Sequence, residues 1–429
     1  MIYAFILGRV HTLSLAELFA VLEKPDSSLG LDGGPIKVLD ASWEVLVIET
    51  TKQINTENLQ TRLGGIVKIL RIIDVIPKRE KDSVNFAVKH YFKPGTLKNE
   101  FFKEYKGKKQ FGVSIYLLDE TIKAFGEPKR IGMMIKNTLT EGGSSVRVAL
   151  PEFNSLSLAS VVVTKNLLLE KGAEICLIAG KEKVYTAKTL TVQDFEDYGR
   201  RDYQRPTRDV DNMGMLPPKV AQIMLNLSQL PKNSQILDPF CGLGTILQEG
   251  MLLGYKMLGS DISKTAIHGS EQNLEWFRNR YKISRGKYHV EISDARKVSG
   301  LLNDREIAGV VTEGSLGPLY STFPKETEIH KNFQNLEKLY KESFSDFSKF
   351  LQEKAKIIIC LPAYKKSRDN YLLFPTLDWA KELGYTLLDL IPKKVAKQMK
   401  FLKLTERGGA IYDRKDQVVA REIVILQKI

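Results

Sequence analysis

One stretch constrains the fold more than any other, residues 235–263, which read QILDPFCGLGTILQEGMLLGYKMLGSDIS. A short β-branched run ends at Asp238, a glycine-rich turn and an amphipathic segment of helical period follow, and a second apolar run ends at Asp261. This pattern predicts a β-α-β unit with an acidic residue at the carboxyl end of each strand. Ligands of such units lie outside the carboxyl ends of the strands.

The chemistry of the turn excludes a phosphate cradle. Gly242, Gly244 and Gly250 do not follow the dinucleotide spacing, and the Lys-Ser/Thr ending of a P-loop is missing. Asp238 would repel a phosphate but attract an ammonium group, and Asp261 could accept hydrogen bonds from both hydroxyls of a ribose. S-adenosylmethionine carries an ammonium, a ribose and an adenine and has no phosphate. The alternative is an ordinary β-α-β turn with a surface aspartate.

Two further apolar runs end in acidic residues, at Asp294-Ala295 and at Thr312-Glu313. From Pro217 onward helical and β patterns alternate, which predicts a mostly parallel sheet with helices on both faces. The four acidic strand ends should then line one edge of the sheet, where Asp294 could accept a hydrogen bond from an adenine amino group. The last residues, GGAIYDRKDQVVAREIVIL, predict a terminal β-hairpin.

The N-terminal half has a different pattern. Residues 1–77 predict a small α+β region, and residues 78–190 predict a second one. Residues 191–215 are charged, poor in aliphatic side chains and interrupted by Pro206, so we interpret them as a linker to the domain at 216–429.

Basic residues are interleaved with aromatic ones between residues 78 and 109. Lysines attract phosphates without regard to sequence, and aromatic rings can stack on bases. The alternative is an amphipathic helix pair with buried rings and solvated lysines, and for the rings we favour it. The candidate RNA-binding residues are Lys106, Lys108, Lys109, Lys129 and Arg130.

The composition is that of a soluble globular protein, with 429 residues, 43% hydrophobic and 27% charged. Lysine and arginine outnumber aspartate and glutamate by 64 to 51, which favours a polyanionic partner, although a solvated basic surface is the alternative. The three cysteines and five histidines show neither disulfide nor metal spacing, so we expect no metal. The cysteine usage leads us to expect a cytoplasmic protein. The first residues resemble neither a signal peptide nor a membrane span.

Several motifs together resemble the archaeal-type THUMP-domain tRNA guanosine N2-methyltransferases. These are DPFCGLGT, the upstream RRDYQRPTRD and MGMLPPKVAQIMLNLS, the GSDIS strand end, the terminal YDRKDQVVAREIVIL, and the N-terminal ILGRVHTLSLAEL and FGVSIY. The resemblance covers nearly the whole chain. It implies a Rossmann-like S-adenosylmethionine-dependent methyltransferase domain, preceded by a ferredoxin-like region at 1–77 and a THUMP-like RNA-binding region at 78–190.

The resemblance also assigns roles to individual residues. Asp238, Phe240, Gly242 and Gly244 would contact the methionine end of the cofactor, Asp261 its ribose, and Asp294 with Ala295 its adenine. The segment 213–218 would cover the cofactor. The complete set of expected cofactor-binding residues is Asp238, Pro239, Phe240, Gly242, Gly244, Thr245, Asp261, Ile262, Asp294, Ala295 and Met215.

The fourth strand end departs from the family pattern. The family carries Asp-Pro-Pro-Tyr there, and this chain carries Glu313-Gly314-Ser315-Leu316. Glu313 keeps a hydrogen-bond acceptor for an exocyclic amine but adds a methylene, Leu316 offers no ring, and Gly314 lacks the rigidity of proline. We therefore expect Glu313, Gly314 and Ser315 to form the catalytic loop.

Three outcomes are open for this loop. It works in altered form, with Tyr320 or Phe323 stacking on the base; it serves a different target atom; or catalysis is lost while RNA binding remains. We predict methylation of the N2 amine of a guanosine in tRNA, of the position-10 type, with a DNA amino-methyltransferase or a non-catalytic RNA-binding protein as alternatives. The need for a small activating protein, and the oligomeric state, are left open.

Overall fold

The computed structural model describes residues 1–102, 107–208, 215–284, 286–303, 305–414 and 417–429. These residues form two compact units, one of Met1–Leu15 with Leu22–Phe195 and the other of Ala16–Val21 with Glu196–Ile429. Each unit contains one large sheet. Within the described ranges, no helix is long and apolar enough to cross a bilayer.

Residues 1–192 contain ten strands and six α-helices among the described residues. The strands are β1 (Ile2–Leu7), β2 (Pro25–Asp26), β3 (Leu31–Asp32), β4 (Lys37–Ala41), β5 (Val45–Glu49), β6 (Ile66–Pro77), β7 (Lys109–Leu117), β8 (Val146–Ala149), β9 (Gly172–Ala179) and β10 (Lys183–Val192). The helices are α1 (His11–Leu22), α2 (Thr56–Arg62), α3 (Val84–Val88), α4 (Pro94–Thr96), α5 (Glu127–Glu141) and α6 (Ser160–Lys165).

Eight of these strands form one sheet in the order β4-β5-β1-β6-β10-β9-β7-β8. β6 ends at the predicted boundary of residue 77, and it pairs antiparallel with β10 from Lys68 to Pro77. The two α+β regions predicted on either side of that boundary therefore share a sheet. The division into a ferredoxin-like and a THUMP-like region stays a prediction.

The aromatic residues between 78 and 109 lie mostly in the core of this unit. Phe92, Phe101 and Phe102 are buried, and Phe102 packs edge-on against Phe111 of β7. The interpretation of these three rings as core residues is confirmed. Tyr105 lies outside the described residues.

The second unit contains the remaining strands and helices. The strands are β11 (Gln235–Asp238), β12 (Lys256–Asp261), β13 (Tyr288–Ile292), β14 (Gly309–Thr312), β15 (Lys356–Ser367), β16 (Asn370–Leu373), β17 (Tyr385–Leu388), β18 (Ala410–Tyr412) and β19 (Val419–Lys428). The helices are α7 (Phe195–Tyr203), α8 (Pro218–Leu227), α9 (Thr245–Leu252), α10 (Lys264–Arg280), α11 (Glu326–Phe347), α12 (Asp378–Glu382) and α13 (Lys393–Ala396).

The sheet of this unit has the order β13-β12-β11-β14-β15-β19-β17. The first five strands are parallel, and β19 runs antiparallel to both β15 and β17. The predicted mostly parallel sheet is confirmed, as is the terminal hairpin of β18 and β19. Because β11 to β14 are parallel, the four predicted acidic positions come to one edge.

Helix α11 covers part of the sheet with an apolar face. Ile329, Phe333, Leu336, Tyr340 and Phe344 recur at intervals of three or four residues, so they lie on one face of the helix. All five are buried in a core that also contains side chains of β14 and β15. The apolar face of the helix therefore packs on the sheet and fixes the position of the loop that follows β14.

The segment interpreted as a linker contains helix α7, which the sequence analysis did not predict. Arg201 of this helix is 4% exposed, and its Nε donates to Glu249 of α9 at 2.9 Å. The guanidinium also lies over the ring of Tyr198, 4.2 Å from the centroid. The charged residues of the segment interpreted as a linker thus include a buried arginine with a carboxylate partner.

Candidate active site

The carboxyl ends of β11 and β14 open onto one cavity in the second unit. Its walls are formed by Met215, Leu216, Asp238, Phe240, Cys241, Gly242, Leu243, Thr245, Ile246 and Glu313. Six of these were expected as cofactor-binding or catalytic residues, namely Met215, Asp238, Phe240, Gly242, Thr245 and Glu313. The structure therefore brings the first and fourth strand ends together around a common space.

Asp238 is the most deeply buried acidic residue of this cavity, with 1% of its surface exposed. Its carboxylate accepts a hydrogen bond from the backbone N–H of Phe240 at 3.3 Å. Burial raises the pKa of Asp238 to about 7, and the neighbouring Asp261 and Glu313 carboxylates add to the rise. An ammonium group placed in the cavity would relieve this penalty, because it would pair with the ionised carboxylate.

The glycine-rich turn after β11 is hydrogen-bonded to Asp261, the carboxylate at the end of β12. The backbone N–H of Gly242 donates to Asp261 Oδ2 at 3.0 Å, and the N–H of Ser263 donates to Oδ1 at 2.9 Å. Gly242 has a φ of +49°, and a Cβ built on it would meet no atom within 4 Å. The turn therefore leaves open space beside a half-buried carboxylate, a shape that a ribose fits.

The rest of this turn is packed into the protein. Pro239 and Gly244 are buried, and Thr245 begins α9, where its hydroxyl accepts a hydrogen bond from Arg205 Nη1 at 2.7 Å. Phe240 is half-buried, with its ring edge-on to Tyr340 at 6.3 Å between centroids. Of these four expected residues, Phe240 and Thr245 line the cavity, and Pro239 and Gly244 are buried within the turn.

The second and third strand ends present apolar surface. Ile262 is 71% exposed, directly after the carboxylate of Asp261, and Ile292 at the end of β13 is 49% exposed. Isoleucine is normally buried, and two exposed side chains at adjacent strand ends suit the flat face of an adenine. The sequence analysis named Ile262 and missed Ile292.

The carboxylate of Asp294 is engaged by a neighbouring arginine. Arg296 Nε lies 2.9 Å from Asp294 Oδ1, and Arg296 Nη1 donates to Glu342 at 3.1 Å. The hydrogen bonds from Arg296 lower the pKa of Asp294, so this group is a carboxylate at neutral pH. Asp294 also caps the 3-10 turn Ala295–Leu301, in which Ala295 is buried. An adenine amino group would share this acceptor with Arg296.

The loop after β14, which the sequence predicts to be catalytic, is held by side chains of two elements. Tyr340 of α11 donates its hydroxyl to the Ser315 carbonyl at 2.5 Å, and Asn332 Nδ2 donates to the Leu316 carbonyl at 3.3 Å. The Gly314 N–H donates to Thr312 Oγ1 at 3.1 Å. These hydrogen bonds restrain a loop in which Gly314 lacks the rigidity of proline. Within the described ranges, the Gly314 carbonyl itself accepts no hydrogen bond.

Glu313 does not stand alone at the mouth of the cavity. Arg421 of β19 is 2% exposed, and its Nε donates to Glu313 Oε1 at 2.5 Å. Arg421 Nη1 donates to Gln417 Oε1 at 2.8 Å. The sequence analysis missed Arg421, although an arginine inside the apolar run VVAREIVIL was a signal, since such a residue needs a buried anionic partner.

The two candidate stacking rings differ in exposure. Phe323 is 44% exposed, whereas Tyr320 is half-buried with its ring edge-on to Tyr364 at 6.0 Å between centroids. The Leu316 side chain is half-buried. Phe323 therefore has the ring that is more accessible to a base.

The predicted RNA-binding residues lie in the first unit. Lys108 is exposed before β7, Lys129 and Arg130 are exposed in the first turns of α5, and Lys109 is half-buried with Nζ 3.5 Å from Ser144 Oγ. Lys106 lies outside the described residues. Their role in RNA binding stays a prediction. The described residues contain no group of His, Cys, Asp and Glu arranged to hold a metal ion.

Comparison with known proteins identifies the class of the second unit. The family profile described as UPF0020, RMKL-like, methyltransferase domain, matches residues 205–371. Over the whole of both chains, the fold is similar to that of TrmN from Thermus thermophilus, with 15% identity and a TM-score of 0.55. The fold and the site define an S-adenosylmethionine-dependent methyltransferase domain, and this cofactor fits the buried Asp238, the open turn at Gly242 and the half-buried Asp261.

Curated relatives give the particular family. The tRNA (guanine(10)-N2)-dimethyltransferase of Methanothermobacter thermautotrophicus is 34% identical over 151 residues, 35% of this chain and 40% of the relative. The probable tRNA (guanine(10)-N2)-dimethyltransferase of Methanothermococcus thermolithotrophicus is 35% identical over 115 residues, 27% of this chain and 70% of the relative. The chain belongs to the family of these archaeal enzymes. It matches less than half the length of the Methanothermobacter relative and 49% of the one from Pyrococcus abyssi.

Proposed function

We propose that the protein transfers a methyl group from S-adenosylmethionine to the N2 amine of a guanosine in tRNA, at the position-10 type of site named for its relatives. The observation that carries the proposal is the convergence of Asp238, Gly242 and Glu313 on one cavity. A cofactor-binding strand end and an acceptor for an amine thus face the same space, which the transfer requires.

The cofactor supplies an electrophilic methyl group on its sulfonium. Asp238 would pair with the ammonium of the methionine end, and Asp261 would accept hydrogen bonds from the ribose hydroxyls. Ile262 and Ile292 would lie against the adenine. These contacts fix the methyl group relative to the loop after β14.

The loop would orient the target amine. One N–H of the amine would donate to the Glu313 carboxylate and the other to the Gly314 carbonyl, which accepts no hydrogen bond from the described residues. The nitrogen lone pair would then point towards the methyl group, and the exposed ring of Phe323 would stack on the base. Since positioning supplies most of such catalysis, Glu313 and Gly314 need no metal beside them. The guanine would leave its stack to reach the cavity.

The N-terminal unit would bind the tRNA as a THUMP-type RNA-binding region, with Lys108, Lys109, Lys129 and Arg130 contacting phosphates. The net charge of +13 supports a polyanionic partner. We also propose that the enzyme is soluble and cytoplasmic and does not associate with a membrane.

The test is methyl transfer from labelled S-adenosylmethionine to an unmodified tRNA transcript. We expect label at guanosine 10, and none when inosine replaces that guanosine, because inosine lacks the N2 amine. Glu313→Ala should lower transfer by about 100-fold or more while cofactor affinity changes little. Label that persists with inosine would overturn the assigned target atom.

Two outcomes would favour the alternatives. Transfer to duplex DNA rather than tRNA would identify a DNA amino-methyltransferase. Tight binding of tRNA without transfer to any nucleic acid would identify a non-catalytic RNA-binding protein.

A further inference from the structure

Residues 391–403, IPKKVAKQMKFLK, form a strongly basic segment of the catalytic unit. They contain five lysines and no acidic residue, and we call them the lysine segment. Its lysines are all exposed: Lys393, Lys394, Lys397, Lys400 and Lys403. The proposed function assigns no role to these five lysines.

The sheet topology places the lysine segment at the catalytic edge. β19 is antiparallel to β15, and β17 is antiparallel to β19, so β17 runs parallel to β14 and β15. The chain that leaves the carboxyl end of β17 at Leu388 therefore emerges at the same edge as Asp238 and Glu313. The N-terminal end of β19, with Arg421, lies at this edge too.

The segment is anchored to the unit, and its lysines are directed outwards. Ile391 and Met399 are 0% and 4% exposed, and the preceding Leu390 N–H donates to the Gly408 carbonyl at 3.1 Å. A flexible basic tail would have no such buried side chains. The lysines are thus presented from a surface of fixed position.

A neighbouring hairpin extends this basic surface. Lys403 Nζ lies 2.9 Å from Asp369, in the turn between β15 and β16. The same hairpin carries Lys366 and Arg368, both exposed. β15 is parallel to β14, so this turn also projects from the catalytic edge.

Ion pairing leaves much of this charge available. Lys393 pairs weakly with Asp389 at 3.7 Å, and Lys403 pairs with Asp369. Within the described ranges, Lys394, Lys397 and Lys400 have no carboxylate within 4.0 Å. Three neighbouring ammonium groups that have no carboxylate partner among the described residues raise the electrostatic potential at the edge where the target base must enter.

We propose that the lysine segment is a second RNA-binding surface, which holds the phosphates next to the target nucleotide at the mouth of the catalytic cavity. This inference rests on the proposed action on RNA and adds a site within the catalytic unit itself. A lysine is a mobile point charge, so the surface recognises the phosphodiester backbone and not the base sequence.

The test compares the salt dependence of tRNA binding in two triple variants of the full chain. The first is Lys394→Gln, Lys397→Gln and Lys400→Gln. The matched control is Lys256→Gln, Lys354→Gln and Lys381→Gln, which removes three exposed lysines at the opposite, amino-end edge of the sheet. Both variants lose the same net charge.

We expect the first variant to bind an unmodified tRNA transcript more weakly. The slope of log affinity against log salt concentration should become less steep by about 2 to 3. The control should keep a slope within about 1 of the parent protein. A Lys→Arg version of the first variant should restore the slope, and cofactor affinity should be equal in all of these proteins.

Equal slopes for the two Gln variants would overturn the inference, while leaving the proposed function intact if the parent protein binds and methylates tRNA. A parent protein that binds cofactor but no tRNA would overturn both. As a second measurement, bound tRNA should protect Lys394, Lys397 and Lys400 from acetylation, and Lys256, Lys354 and Lys381 should stay reactive.

Discussion

Arg421 Nε lies 2.5 Å from Glu313 Oε1, which connects the buried part of the terminal hairpin to the first residue of the loop that follows β14. The guanidinium is 2% exposed and the Glu313 side chain is 22% exposed. Arg421 therefore holds one oxygen of the Glu313 carboxylate, while Glu313 still lines the cavity. Such a pair compensates for the extra methylene of glutamate, because it limits where the longer side chain can place its oxygens.

Arg421 should act as a positioning residue. Arg421→Met frees the Glu313 side chain to adopt other rotamers, and we expect kcat to fall by about 10- to 100-fold with KM for tRNA within about threefold. Arg421→Lys keeps a positive charge and should recover part of kcat. Steady-state kinetics on an unmodified transcript would measure this. A fall in kcat that disappears when rates are normalised to the concentration of folded, cofactor-binding protein would indicate a purely structural role.

The raised pKa of Asp238 predicts the pH dependence of cofactor binding. The pKa is about 7 in the free protein, so at pH 5.5 the group is mostly neutral and cannot pair with an ammonium. Affinity for S-adenosylmethionine should rise by up to about tenfold per pH unit between pH 5.5 and pH 7. Calorimetry in buffers of different ionisation enthalpy should also detect proton release near pH 6.5. Asp238→Asn should bind weakly, without this pH dependence.

The same shift has a consequence for stability. A carboxyl group with a pKa raised by burial binds more protons in the folded than in the unfolded protein between about pH 4 and pH 7. Its contribution to the free energy of unfolding therefore decreases as the pH rises through that window. The free energy of unfolding in urea should be measured for Asp238→Asn and for the parent protein at each pH. The difference between the two should favour the variant more at pH 8 than at pH 4. An equal effect at both pH values would contradict the burial assigned to Asp238.

Alanine substitutions at two glycines of the glycine-rich turn after β11 should have different effects on cofactor binding and on stability. A Cβ on Gly242 meets no protein atom within 4 Å, whereas a Cβ on Gly244 would lie 2.6 Å from Ser270 Oγ. Both residues have positive φ values, so alanine costs about 1 kcal/mol at either position. Gly242→Ala should weaken cofactor binding with only that loss of stability, and Gly244→Ala should lose more stability. Urea unfolding and cofactor titration of both variants would measure the contrast, and identical profiles would contradict it.

The buried pair of Arg201 and Glu249 should contribute to the stability of the second unit. Arg201→Met would leave Glu249, 1% exposed, without its cation, at a cost of about 3 to 5 kcal/mol in the free energy of unfolding at pH 8. The loss should shrink at pH 5, because burial already raises the pKa of Glu249 to about 7 and the variant can bind a proton there.

Arg200→Met is the control for that experiment. Arg200 lies on the same helix, and its side chain is 32% exposed, so its ion pairs with Glu196 and Asp197 are screened by solvent. We expect a loss below about 1 kcal/mol. Similar losses for the two variants in urea unfolding would show that burial of the ion pair is not the cause.

The sequence by itself determined the parallel sheet and the residues at its strand ends, because hydrophobic period and glycine-rich turns are local properties of the chain. Asp238, Asp261 and Glu313 could be placed at one edge from the order of the elements alone. The terminal hairpin followed for the same reason.

Only the tertiary structure decided which side chains hold these residues in place. The contact of Arg421 with Glu313 joins positions 108 residues apart, and the support of the loop by Tyr340 and Asn332 depends on how α11 packs. Residues 191–215 were interpreted as a linker because their charges are visible in the sequence, whereas the buried partner of Arg201 is not. Local pattern determines which elements form, whereas the burial and pairing of charges depend on contacts between distant parts of the chain.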